Sequence, residues 1–118
     1  MNTIPFHTAA EAEAALAAGA TALVTTPGAG AFAGPAYLAK AFSQARQAHP
    51  NARATAWIDC GEDAGMVLRA IKAGWKHIVF KGRGAVKARI EDICAQAKVE
   101  ILSGGRANLT AKKARLRS

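Results

Sequence analysis

Three side chains able to do chemistry stand just past apolar runs. Lys81 follows Ile78-Val79-Phe80, and Asp59-Cys60 follows Trp57-Ile58. A lysine desolvated at the end of a buried strand can act as a nucleophile or hold an anion. One whose ammonium reaches solvent does neither by itself. An aspartate in Asp59's place can serve as a general base or take a ligand hydroxyl. It can equally accept turn or helix-start N–H bonds, because a Cys-Gly step follows it. Cys60 precedes a helix start, a setting that lowers a thiol's pKa. Asp59 and Lys81 end strands expected to be neighbours, so the two can also pair with each other.

Other candidates gather at the preceding strand. Ala22-Leu23-Val24 leads into Thr25-Thr26-Pro27-Gly28, with Gly30 and Gly34 beyond. Glycine-rich loops ahead of a helix present free N–H groups to anions. Thr25, Thr26, Gly28 and Gly30 are therefore candidate ligand contacts together with Asp59, Cys60, Lys81 and Arg83. Of the histidines, His7 ends a strand and can line a site there, and His49 beside Pro50 reads as a loop residue. No His/Cys/carboxylate spacing fits a metal site. Cys94 falls on the apolar stripe of a helix and reads as core. The sequence implies neither a cofactor nor a complete catalytic set.

What must position these groups is an alternation of short apolar runs and amphipathic stretches. Strands alternating with helices at this spacing pair in parallel, since each helix carries the chain back across the sheet. Ligands in such folds sit beyond the carboxyl ends of the strands. Strands are expected at residues 4–7, 21–26, 53–59, 77–81 and 99–102. A helix starts at Thr8 through the pattern Thr8-Ala9-Ala10-Glu11, a capping box, and ends at Gly19. Residues 28–34 read as a flexible loop, and Pro35 suits the first position of the next helix. Glu62-Asp63 places negative charge at a further helix start. The last helix, residues 85–97, carries Val86, Ile90, Ile93, Cys94 and Ala97 on one stripe.

The 118 residues suffice for one domain. Net charge is +8, and it is uneven: residues 1–80 hold 6 Lys/Arg against 5 Asp/Glu, and residues 81–118 hold 10 against 3. The reading is an α/β domain over 1–102 and a basic, solvated tail over 103–118. No apolar stretch approaches the roughly 18 residues of a membrane span. The first residues do not resemble a signal peptide, and two distant cysteines suit a reduced, cytoplasmic protein. The expected fold is flavodoxin-like: a five-stranded, mainly parallel sheet with helices on both faces. The alternative is a half (β/α) barrel that closes by dimerising, since five strands cannot close an eight-stranded barrel alone.

From Pro5 to about Gly82 the chain resembles the C-terminal half of the aldolases that cleave 2-keto-3-deoxy-phosphogluconate. The resemblance rests on Thr8-Ala9-Ala10-Glu11, Ala18-Gly19, Leu23-Val24-Thr25-Thr26-Pro27-Gly28, Gly34-Pro35 and Leu38. It implies βα architecture. The family's Schiff-base lysine falls at Val24, which cannot form an imine, and its glycine pair falls at Asp59-Cys60-Gly61. Ala70 to Lys81 is similar to the end of a response-regulator receiver domain, but Thr25-Thr26 stands where the phosphoacceptor carboxylate would be. Ala22 to Thr25 with Gly28, Gly30 and Gly34 is similar to the opening of short-chain dehydrogenases, with Asp59 as the ribose acid. The 25 residues from Gly34 to Asp59 exceed the usual spacing of about 20, and the only tyrosine, Tyr37, is not followed by a lysine four residues on.

The function these residues favour is a non-catalytic or regulatory module that binds a small molecule or anion, phosphate or a phosphorylated compound above all. The enzyme alternative is a small lyase or transferase acting on a phosphorylated or carboxylated metabolite through Lys81 and Asp59. A third is a nucleic-acid accessory protein working through the tail. A homodimer and no membrane contact complete the expected partners.

Overall fold

The computed structural model describes residues 3–103. Five strands alternate with helices: β1 Thr3–Phe6, α1 Ala9–Ala17, β2 Ala22–Thr25, α2 Ala29–Ala33, α3 Pro35–Ala48, β3 Thr55–Asp59, α4 Ala64–Lys72, β4 His77–Phe80, α5 Gly84–Gln96 and β5 Glu100–Ser103. The expected class forms: a single α/β domain, flavodoxin-like in its five parallel strands and connecting helices. Of the expected tail, 103–118, Ser103 closes β5 and 104–118 lie outside the described residues.

The strand order is consecutive, β1-β2-β3-β4-β5. A doubly wound sheet reverses direction part-way and places helices on both sides. Here every step is to the next strand. Right-handed crossovers taken always in one direction carry the helices to one face. The core shows that result. The larger cluster joins Phe6, Leu23, Ile58, Ile78 and Phe80 of the sheet to Leu16, Leu38, Val67, Ile90 and Cys94 of α1, α3, α4 and α5. Alternate positions on the same strands, Val24, Trp57, Val79 and Leu102, form a second cluster with no helical member among the described residues. Among the described residues, then, the helices that join the core pack on one face of this parallel sheet.

Local chemistry sets the helix ends. The Thr8 hydroxyl accepts from the Glu11 N–H at 3.1 Å. The Glu11 carboxylate turns back to the N–H of His7 at 2.8 Å, one residue before the usual capping-box partner. Asp63 caps α4 by accepting from the Met66 N–H at 3.0 Å. Residues 28–34, expected as a flexible loop, instead hold α2, a single turn of alanine-rich helix. It is bounded by Gly28 at φ 80° and Gly34 at φ 92°, left-handed positions that glycine takes without strain. α5 packs through Ile90 and Cys94, while Val86, at its start, is exposed. No described helix is long and apolar enough to cross a membrane.

Candidate functional site

At the carboxyl end of the sheet, three loops converge on one cavity of about 340 Å³. Gly28 arrives from β2, Asp59, Cys60 and Gly61 from β3, Asp63 from the start of α4, and Lys81 from β4. The loop after β3 is held firmly. The Cys60 N–H donates to the Val79 carbonyl at 2.9 Å, and the Lys81 N–H donates to the Gly61 carbonyl at 2.6 Å. The Gly61 N–H donates to the Asp59 carboxylate at 3.0 Å. β3 and β4 are thus laced together past their last paired residues, which fixes Lys81 opposite the Asp59 turn.

Four of the candidates, Gly28, Asp59, Cys60 and Lys81, come together here. Thr26 lines an adjoining cavity of about 510 Å³, together with Gly28, His7, Phe32 and Tyr37. Three candidates take other roles. Thr25 is 0% exposed, and its hydroxyl accepts from the Asp59 N–H at 2.9 Å, so it supports the site from beneath. Gly30 is buried, and a Cβ on it would lie 3.1 Å from the Met66 sulfur, so its smallness serves packing between α2 and α4. Arg83 sits exposed at the N-cap of α5 and lines neither cavity.

The Thr25 bond gives a direct test. In Thr25→Val the isosteric methyl removes that acceptor, and the net loss of one intramolecular hydrogen bond is about 0.5–1.5 kcal/mol. Urea denaturation should show a loss of that size. A variant as stable as the parent would show that the bond is not holding β2 to β3.

The chemistry of the cavity follows from the burial and charge of its groups. Cys60 is buried, and its thiol is pushed up to about 12 by that burial first, then by the neighbouring Asp59 and Asp63 carboxylates; Arg69 pulls weakly the other way. The low-pKa thiol expected from the adjacent helix start is therefore corrected: desolvation and two negative charges outweigh the helix end. Lys81 is exposed, so the burial on which its role as a nucleophile rests is missing. Asp59 and Lys81 line the same cavity without forming an ion pair with each other. Among the described residues, no group of three His, Cys, Asp or Glu side chains is placed to hold a metal ion.

Asp63, Met66, Phe32 and Tyr37 were not legible as site residues. Asp63 reads from sequence only as helix-start charge, and the aromatics carry no motif; no local signal places them beside Gly28. No protein family, curated protein or solved structure matches the chain.

Proposed function

We propose that this chain is a non-catalytic module that binds a small anionic molecule, phosphate or a phosphorylated or carboxylated compound, at the carboxyl ends of its strands. The observation that carries this reading is the single cavity into which Gly28, Asp59 and Lys81 converge from three separate loops. Lys81 supplies an exposed ammonium to an anion. Asp59 and Asp63 supply acceptors for ligand hydroxyls, which favours a hydroxylated phosphate over a bare one. Binding without turnover is favoured because the one thiol in the cavity is held protonated, and a thiol rather than a thiolate is a poor nucleophile. The lyase or transferase alternative rests on a desolvated Lys81, and Lys81 is exposed. The nucleic-acid alternative depends on the basic tail, 103–118, which past Ser103 lies outside the described residues.

Titrating inorganic phosphate while recording backbone amide shifts tests the reading. Residues 27–31, 59–63 and 81 should move together, and Lys81→Ala should weaken the response at least about fivefold, the effect of losing one charge-assisted contact. Shifts confined to 104–118, or a response indifferent to Lys81, would remove the site.

A further inference from the structure

A second cavity adjoins the first. Both are lined by Pro27 and Gly28, so they meet at the loop after β2, beyond the strand ends. Their linings differ in kind. The β3–β4 section carries Asp59, Asp63 and Lys81. The β1–β2 section carries His7, Phe32 and Tyr37.

The aromatic residues of this chain are few and are not scattered. There are seven: four Phe, two Trp and one Tyr. Phe6, Trp57, Trp75 and Phe80 are buried and Phe42 is half-buried. The two that are exposed, Phe32 at 93% and Tyr37 at 51%, both line the same cavity. Phe32 stands on the single turn of α2, and the alanines around it leave its ring without cover. Exposed rings gathered at one concavity mark a place where a flat apolar partner fits. Gly28, where the sections meet, has no side chain, and a Cβ there would point into open space. A ligand can therefore cross from one section to the other close against the backbone.

Building on the anion-binding reading above, we propose that the two cavities together take a phosphorylated molecule bearing a planar aromatic ring, of the size of a nucleoside monophosphate. The ring lies against Phe32 and Tyr37. A hydroxylated linker crosses Gly28 toward the carboxylates, and the phosphate meets Lys81. A ring stacked on an aromatic side chain and a phosphate on an ammonium are sequence-tolerant, additive contacts. Neither section alone satisfies such a ligand.

Calorimetric titration of the full chain with inorganic phosphate, ribose 5-phosphate, adenosine and adenosine monophosphate separates the steps, with amide shifts locating each ligand. The monophosphate should bind at least about fivefold more tightly than ribose 5-phosphate, the smallest gain expected of one stacked base. It should move residues 7, 8, 26–33 and 37 together with 59–63 and 81. Phe32→Ala, at a fully exposed position, should reduce the monophosphate to the affinity of ribose 5-phosphate and leave ribose 5-phosphate unchanged. If the monophosphate binds no better than ribose 5-phosphate and Phe32→Ala changes nothing, the aromatic section is not used and the proposal falls, while the anion site stands. If no phosphate compound moves Lys81 and its neighbours, the anion reading falls too. Shifts confined to residues 104–118, lost at high salt, would also overturn both.

Discussion

Trp57→Ala is expected to cost about 3–5 kcal/mol of folding stability, the usual range for deleting a large buried aromatic side chain. That is a large part of the roughly 5–15 kcal/mol that holds a small domain together. Trp57 sits on β3, the middle strand, and is 1% exposed. With Val24, Val79 and Leu102 it makes up a buried cluster that none of the described helices joins. Its ring meets His77 edge-on at a centroid distance of 5.0 Å. Removing it leaves a void beside Val24, Val79, Leu102 and His77. Trp57→Phe should behave very differently. The indole N–H is buried and finds no acceptor among the described residues, whereas the Trp75 N–H donates to the Pro35 carbonyl at 2.9 Å. An orphan donor costs about 1–3 kcal/mol. Phenylalanine removes it, offsetting part of the lost volume, so Trp57→Phe should stay within about 1.5 kcal/mol of the parent. Chemical denaturation of both variants decides the matter. Equal losses for Phe and Ala would mean that the indole N–H is satisfied after all.

What the sequence displays are the features that depend on neighbours in the chain. Thr8 with Glu11, Pro35 at a helix start and Asp63 before Ala64 are local capping and turn chemistry, and each works in the structure as its residue type dictates. The strand ends are legible for the same reason, since apolar runs stop at Thr26-Pro27-Gly28, at Cys60-Gly61 and at Lys81-Gly82. That is why Gly28, Asp59, Cys60 and Lys81 could be grouped before their cavity was visible. Strand order is different. A parallel strand is apolar on both faces, so alternation does not reveal which face the helices cover. Consecutive and doubly wound sheets can therefore be written with the same local patterns. Val24 and Leu23 look alike in the sequence, yet Leu23 packs with the described helices and Val24 belongs to the other cluster.

The site residues that sequence misplaces fail for physical reasons that can be named. Thr25 looks like a strand-end hydroxyl free to meet a ligand. Its partner lies 34 residues away at Asp59, a distance that no local rule spans. Gly30 looks like a phosphate-binding glycine, but the Met66 side chain needs the space. The Gly28 to Gly34 segment looks flexible because of its glycines. The alanines between them, with high helix propensity, close one turn instead. That turn is what carries Phe32 to the second cavity.

Cys60 carries the other large expected effect, and its sign follows from where the proton stays. The folded thiol is pushed up to about 12 from an ordinary value of 9.0. Below pH 9 both folded and unfolded chains keep the proton, and the stability is at its plateau. Between about 9 and 12 the unfolded thiol has lost its proton while the folded one retains it. The folded state then binds more protons, so stability must fall as pH rises. The slope for one such group approaches about 1.4 kcal/mol per pH unit, which reaches about 4 kcal/mol across the window. The rest of the chain also responds to alkaline pH, so the parent alone is not diagnostic. Cys60→Ala keeps the rest of the chain and removes only this thiol. Urea denaturation of both proteins from pH 7.5 to 10.5 should show the parent losing stability faster than the variant above pH 9. The stability difference at pH 10.5 should have shifted by about 2 kcal/mol in the variant's favour relative to pH 7.5. The same burial predicts that a thiol reagent labels Cys60 far more slowly in the folded chain than in urea. Parallel stability curves, or rapid labelling of the folded chain at neutral pH, would mean that the thiolate forms readily in place. In that event Cys60 would return as a nucleophile facing Lys81, and the case for binding without catalysis would lose its main chemical support.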